Sequence, residues 1–102
     1  MKELPLVCKF TYSYTYRKRM REKPLYALLL EYNHIQKAYY ANLIESNGTL
    51  HGRHYDKWLK WDEQTIDKTM VSIEDLPSAV LKTVKEQVSI SEEVNRRSSK
   101  SS

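Results

Sequence analysis

The sequence predicts an α+β protein made of two tandem strand–strand–helix units, packed about a pseudo-twofold axis and joined by a mainly antiparallel sheet. Three observations support this prediction. Every second residue from 6 to 16 is apolar or aromatic, residues 76–90 carry a helical apolar stripe, and a shift of 41 residues superimposes two strand-to-helix transitions. A chain of 102 residues has the length of a single domain.

The predicted domain covers residues 1–93, with one unit over 5–47 and the other over 49–90. The residues that follow, 94–102, lose the apolar pattern and are predicted to form a flexible basic tail. One such unit has too little core to be stable alone, so two copies would have to bury their apolar faces together.

The first unit begins with the clearest strand. Along residues 6–17, every second position is apolar or aromatic, and the last four of these positions are Phe10, Tyr12, Tyr14 and Tyr16. Residues 25–32 are predicted to form a second strand, apolar enough to be covered on both faces. Together the two strands predict an antiparallel hairpin with residues 17–23 at its tip.

The period changes after Asn33, which is a suitable N-cap for a helix over residues 34–46, with a strand as the competing interpretation. Gly48 would end that helix. In the second unit, residues 65–73 are predicted to be a strand. The final helix, residues 76–90, presents an apolar stripe of Leu76, Val80, Val84 and Val88.

A groove between the two units would suit a peptide or protein segment, since exposed strand edges and aromatic side chains are where such segments dock. This predicts a protein-interaction module without enzymatic activity. Its expected anchors are Tyr14, Tyr16, Tyr55, Trp58 and Trp61. The aromatic residues 10, 12, 14 and 16 are themselves interpreted mainly as the buried face of a strand, with the polar tips of the tyrosines at its rim. For the two tryptophans, the competing interpretation is that both pack under the second helix.

Nucleic-acid binding is the alternative function. Residues 1–60 hold 11 Lys and Arg against 5 Asp and Glu, whereas residues 61–93 hold 3 against 8. Basic residues interleaved with aromatics are typical of single-strand binders, although a solvated hairpin tip explains the same cluster. The predicted contacts are Arg17, Lys18, Arg19, Arg21, Arg53 and Lys57.

Other chemistry is not expected from this sequence. Cys8 is the lone cysteine and lies in the patterned strand, so it is predicted to be buried as a small hydrophobic residue. A single cysteine cannot form an internal disulfide, which favours an intracellular protein. His51 and His54 would point to opposite faces of a strand, so no metal site is predicted. No cofactor, membrane span or catalytic constellation is expected.

Two resemblances add to these inferences. The run "VSIEDLPSAVLKTVKEQ" (71–87), with "KFTY" (9–12), resembles the small crenarchaeal chromatin proteins of the seven-kilodalton type, but it covers under a fifth of the chain and their DNA-binding residues are not carried over. The length, the Tyr-, Lys- and Ile-rich composition and the two diverged halves resemble a family of small proteins from filamentous viruses of the hyperthermophilic archaeon Acidianus. That resemblance implies a viral protein that acts through protein contacts in the host cell.

Overall fold

The computed structural model describes residues 3–51 and 58–100 and shows a mixed α+β fold, as the sequence predicts. Within these residues, a five-stranded antiparallel sheet has the order β4-β3-β2-β1-β5. The elements in chain order are β1 (Leu6–Tyr16), β2 (Arg19–Asn33), β3 (Ala38–Glu45), β4 (Trp58–Trp61), α1 (Glu63–Thr69), β5 (Met70–Val71), a 3₁₀ turn (Ile73–Asp75) and α2 (Ser78–Lys100).

The predicted β1–β2 hairpin is confirmed, but its tip is much shorter than predicted. The pairing runs without interruption from Leu6 opposite Leu29 to Tyr16 opposite Arg19. Residues 19–23, predicted to be part of the tip, instead extend β2, because each one lies opposite a residue of β1. Only Arg17 and Lys18 form the turn, both in the left-handed region, with φ of 50° and 63°.

The predicted helix over residues 34–46 is wrong, since this segment contains strand β3. Asn33 does accept a hydrogen bond from the backbone N–H of Gln36, at 2.8 Å, as an N-cap would. This bond closes only a short turn before β3 begins, because an asparagine side chain stabilises turns and helix starts alike. Within β3, Tyr39, Ala41 and Leu43 share the period of two and enter one buried cluster.

Both faces of the sheet are buried at its centre. On one face, Val80 and Val84 of α2 pack against Val7, Leu28 and their neighbours. On the other face, Ile66 of α1 closes a cluster that includes Cys8, Leu25 and Leu29. All five residues from Leu25 to Leu29 are buried, which confirms that β2 is covered on both faces.

The sheet is strongly curled. The rings of Phe10 on β1 and Trp61 on β4 lie 5.3 Å apart in an edge-to-face contact, although two strands separate β1 from β4. The curl brings β4 towards β1 over the cluster that Ile66 closes. The face that carries Phe10 and Trp61 is called the concave face below.

The second half of the chain differs from the prediction in two ways. The strand predicted over residues 65–73 is wrong, because residues 63–69 form α1, whose N-cap Asp62 accepts a hydrogen bond from the backbone N–H of Thr65 at 2.7 Å. Only Met70–Val71 extends as β5. The final helix is confirmed with its buried stripe, but it continues to Lys100 instead of ending near residue 90.

The two tandem strand–strand–helix units are not confirmed, because β3 stands where the first unit would have its helix. The division of the chain into a domain over residues 1–93 and a tail stays a prediction.

Gly48 connects the turn after β3 to α2. Its φ is +90°, and a Cβ atom at this position would lie 2.6 Å from the carbonyl oxygen of Ala79. The hydroxyl of Thr83 donates a hydrogen bond to the carbonyl oxygen of Gly48. Glycine therefore meets two requirements here, a left-handed backbone and a close approach to the helix.

Candidate functional site

The outer half of the β1–β2 hairpin carries tyrosines and cations on one face. On β1, Tyr12 and Tyr14 are half-buried, while Tyr16 is 50% exposed. Residues directly opposite each other in an antiparallel pair lie on the same face, so these rings share the concave face with their partners on β2. The three pairs are Tyr12 with Lys23, Tyr14 with Arg21, and Tyr16 with Arg19.

The rings and cations already contact one another. Tyr12 and Tyr14 stack with centroids 5.9 Å apart and ring planes 13° apart. The guanidinium carbons of Arg17 and Arg21 lie 5.3 and 5.6 Å from the centroid of the Tyr16 ring. These distances are within the range of cation–π attraction, so the rings hold the guanidinium groups on this face.

Lys23 differs from the other cations of the hairpin, because its charge is paired within the protein. Its Nζ atom lies 2.6 Å from Oε1 of Glu45, at the end of β3, and 5.6 Å from the centroid of Tyr14. The hydrogen bond to Glu45 raises the pKa of Lys23 above its ordinary value, because it stabilises the ammonium form. The side chains of Arg17, Lys18, Arg19 and Arg21 are exposed.

An open pocket of about 760 Å³ lies against this surface. Its wall on β1 is the stretch from Tyr12 to Tyr16, and the other lining residues are Lys23, Glu45 and His51. The ring of His51 makes an edge-to-face contact with Tyr12, at 6.2 Å between centroids. The pocket thus combines flat rings with one acidic and several basic or polar groups.

The turn at the hairpin tip contains residue types that are unfavourable in its backbone conformation. A two-residue turn with φ above zero at both positions is typically Asn-Gly, because most side chains clash in the left-handed region. Here both positions are long cationic side chains, Arg17 and Lys18. The left-handed conformation costs roughly 1–2 kcal/mol per residue. The turn therefore carries two positive charges at the outermost point of the hairpin in a strained backbone.

The structure brings six of the predicted site residues together on the hairpin and separates Trp61 from them. The residues brought together are Tyr14, Tyr16, Arg17, Lys18, Arg19 and Arg21. Trp61 is only 6% exposed and packs against Phe10, so its proposed role as a docking anchor is not supported.

The predictions for the remaining site residues stay predictions. Trp58 belongs to β4, and its pairing with Asn42 places its backbone two strands away from β1. The predictions for Arg53, Tyr55 and Lys57 lie outside the described residues, as does that for His54.

Sequence reasoning missed four residues of the site, namely Tyr12, Lys23, Glu45 and His51. Tyr12 and Lys23 belonged to patterns already noted, and the hairpin register was the signal that would have placed them opposite each other. Glu45 reaches Lys23 only because residues 38–45 form a strand that pairs with β2, which the helix prediction concealed.

Cys8 is fully buried, which confirms the predicted burial of this residue. Burial raises the pKa of its thiol, an effect partly opposed by a hydrogen bond with Thr69. A buried thiol with a raised pKa has little thiolate, the form that acts as a nucleophile.

Within residues 3–51 and 58–100, no three His, Cys, Asp or Glu side chains are grouped so as to hold a metal ion. None of the helices in that same part of the chain combines the length and the apolar character needed to cross a membrane. Comparison of the chain with family models, with curated proteins and with solved structures gave no match.

Proposed function

We propose that the outer half of the β1–β2 hairpin binds single-stranded nucleic acid. The tyrosines would stack on bases, and Arg17, Lys18, Arg19 and Arg21 would contact phosphates. One observation carries the proposal: exposed cations and partly exposed rings share one projecting hairpin and border an open pocket. Stacking tolerates any base, so such a surface would bind with little sequence preference.

Single strands fit this surface better than a duplex does. Stacking on Tyr14 or Tyr16 requires a base whose face is free, and a base in a duplex is already stacked between its neighbours. The guanidinium groups of Arg17 and Arg21 lie against the Tyr16 ring, so a base and its phosphate would meet the ring and the cations at one place.

The turn chemistry also supports the proposal. Asn-Gly at positions 17 and 18 would relieve the backbone strain and remove two positive charges. The presence of Arg17 and Lys18 is understandable where those charges are needed for binding.

The test is a titration of a fluorescein-labelled 20-nucleotide oligo-dT, followed by anisotropy, at 50 and 200 mM salt. Four phosphate contacts predict a slope of about −2.8 in log K against log salt, hence roughly 50-fold weaker binding at the higher salt. An abasic strand of the same length measures the phosphate contribution alone. A duplex of the same length should bind less tightly than the single strand.

The decisive variant is the triple replacement Arg17→Ser, Arg19→Ser and Arg21→Ser. Its matched control is Lys68→Ser, Lys82→Ser and Lys85→Ser, which removes the same charge from exposed positions on α1 and α2. Loss of binding in the first variant and its retention in the control are expected. Equal weakening in both would mean that net charge, and not the hairpin, attracts the nucleic acid, and this would contradict the proposal.

A second candidate, binding of a peptide or protein segment, is favoured by the pocket itself. Its volume is in the range of ligand-binding pockets, and aromatic and arginine side chains are the residues that dominate protein interfaces. Arg21 and the Tyr16 ring suit a segment that carries acidic and aromatic side chains. Titration of a labelled ten-residue peptide rich in Asp and Phe tests this candidate. If the peptide binds in the pocket, Tyr14→Ala should weaken its binding.

A further inference from the structure

We infer that β1 is also a self-association surface, at which two copies of this chain pair their β1 strands antiparallel about a twofold axis through Ser13. The pairing would join the two sheets into one continuous sheet. This inference is independent of nucleic-acid binding, because it depends on the backbone edge of β1 and not on the cations of the hairpin.

The first observation is that, among the described residues, β1 is an open edge over most of its length. β5 contains two residues and pairs only with Val7 and Cys8. Beyond that point, no strand in the described part of the chain pairs with the outer edge of β1, from Lys9 to Tyr16. Alternate backbone N–H and C=O groups of an edge strand point away from the sheet and are available to another strand.

The second observation indicates which strand would pair with this edge, namely β1 of a second copy. Residues 10–16 read Phe-Thr-Tyr-Ser-Tyr-Thr-Tyr, which has the same pattern in both directions. An antiparallel pair centred on Ser13 places Thr11 opposite Thr15 of the second copy and Tyr12 opposite Tyr14. It also places Phe10 opposite Tyr16. Aromatic–aromatic and Thr–Thr pairs are favourable cross-strand neighbours, so the strand is complementary to itself.

The third observation is that this edge lacks the usual protection. Natural edge strands are kept apart by charges, by proline, by bulges or by being short. Residues 10–16 contain no charge and no proline, and the β1–β2 register shows no bulge. The opposite edge of the sheet, β4, has only four residues and carries Lys60. Within residues 3–51 and 58–100, the sheet is therefore protected at β4 and open at β1.

The twofold axis would preserve the two faces of the sheet, because opposite residues in an antiparallel pair lie on the same side. The tyrosines of both copies would then form one strip on the concave face. The two basic turns would point away from each other, about 26 Å apart at a rise of roughly 3.3 Å per residue, which keeps the charges of one turn beyond a Debye length from those of the other turn.

The test is sedimentation equilibrium of the full chain, without nucleic acid, between 5 and 200 μM. The wild type is expected to reach twice the chain mass of 12.1 kDa. The double variant Thr11→Lys with Thr15→Lys should be a monomer, because each new lysine would face a lysine of the second copy. Both threonines are exposed, and circular dichroism checks that the variant is folded.

The matched control is the double variant Thr11→Lys with Thr15→Glu, which changes the same two positions. In the twofold pairing, each lysine would face a glutamate of the second copy, so this variant should be a dimer again. A monomeric wild type at 200 μM would overturn the inference. A Lys/Lys variant that stays dimeric, or a Lys/Glu variant that stays monomeric, would also overturn it.

Discussion

The inner and outer halves of the β1–β2 hairpin have the same alternation and the same continuous register, yet they differ in what covers them. In the inner half, Cys8 faces Ala27 and Phe10 faces Leu25, and Leu25 is completely buried. In the outer half, the same face carries Tyr14 opposite Arg21 and the half-exposed Tyr16. The alternation therefore sets which face a side chain occupies, and the length of the covering elements sets whether that face is core or surface.

The covering elements account for this difference. Ile66 of α1 packs over the inner half of the concave face, and Val80 and Val84 of α2 pack over the inner half of the other face. Among the described residues, Tyr14 and Tyr16 lie beyond both buried clusters. In the described part of the chain, the hairpin continues past this cover, which leaves Tyr16 half exposed.

The largest expected effect is on stability and belongs to the inner half. Leu25→Ala should lower the free energy of unfolding by about 2–5 kcal/mol, because it leaves a cavity in a buried cluster. Met20→Ala, on the same strand but 73% exposed, should change it by less than about 0.5 kcal/mol. Urea denaturation measures both. Similar losses in the two variants would contradict the division of the hairpin.

The second effect is on binding and belongs to the outer half. Tyr16→Ala should weaken oligo-dT binding by about 5- to 150-fold, which corresponds to roughly 1–3 kcal/mol for one stacked base. Tyr16→Phe keeps the ring and should bind nearly as tightly as the wild type. Anisotropy measures both variants. If the phenylalanine variant were as weak as the alanine variant, the contact would depend on the hydroxyl and not on stacking.

The third effect is at the turn of the hairpin, where one variant should change stability and binding in opposite directions. Replacing Arg17→Asn together with Lys18→Gly should raise the free energy of unfolding by about 1–2 kcal/mol, because the left-handed turn is no longer strained. The same change should weaken nucleic-acid binding. Thermal and urea denaturation, with anisotropy, measure the two effects.

The control for this variant is Lys37→Gly. Lys37 has a φ of 54° and lies in the turn between β2 and β3, away from the hairpin tip. The Lys37→Gly variant should also gain stability, but its binding of nucleic acid should be unchanged. Should the Asn-Gly variant bind as tightly as the wild type, the charges at the tip would have no role in binding.

The smallest effect concerns the boundary between the two halves, where Lys23 pairs with Glu45. Glu45→Gln should cost about 0.2–1 kcal/mol at pH 7, because both side chains are partly exposed. The ion pair raises the pKa of Lys23 above its ordinary 10.5 in the folded chain. Its stabilisation is therefore complete below pH 10.5 and is lost as the pH rises through the folded value. Urea denaturation of both proteins at pH 7 and above that value should show the difference closing.

Much of the first half of the fold could be predicted, because period-two alternation in β1 and a continuous apolar run in β2 are strong local signals. The segment 38–45 could not be assigned by local pattern, since its alanines and tyrosines suit both a helical period and a strand period. Its pairing with β2 decides that it forms a strand. Asn33 led to the wrong prediction of a helix for a physical reason, because an asparagine side chain that can cap a helix can also close a turn.

The candidate binding surface could be predicted only in part. The basic cluster and the tyrosines were visible in the sequence, but their arrangement depends on register, which places Tyr14 opposite Arg21. Where the core ends depends on how α1 and α2 pack, and no local pattern carries that information. The burial of Trp61 likewise follows from the curl of the sheet, which brings β4 towards β1.

The most direct test of the account is a nuclear magnetic resonance titration of the ¹⁵N-labelled chain with oligo-dT. The amide signals of residues 12–23 should shift with saturation, whereas those of residues 25–29 in the buried part of β2 should stay in place. This result would show that the uncovered half of the hairpin is the binding surface. Shifts centred on α2, or no shifts at low salt, would contradict the account.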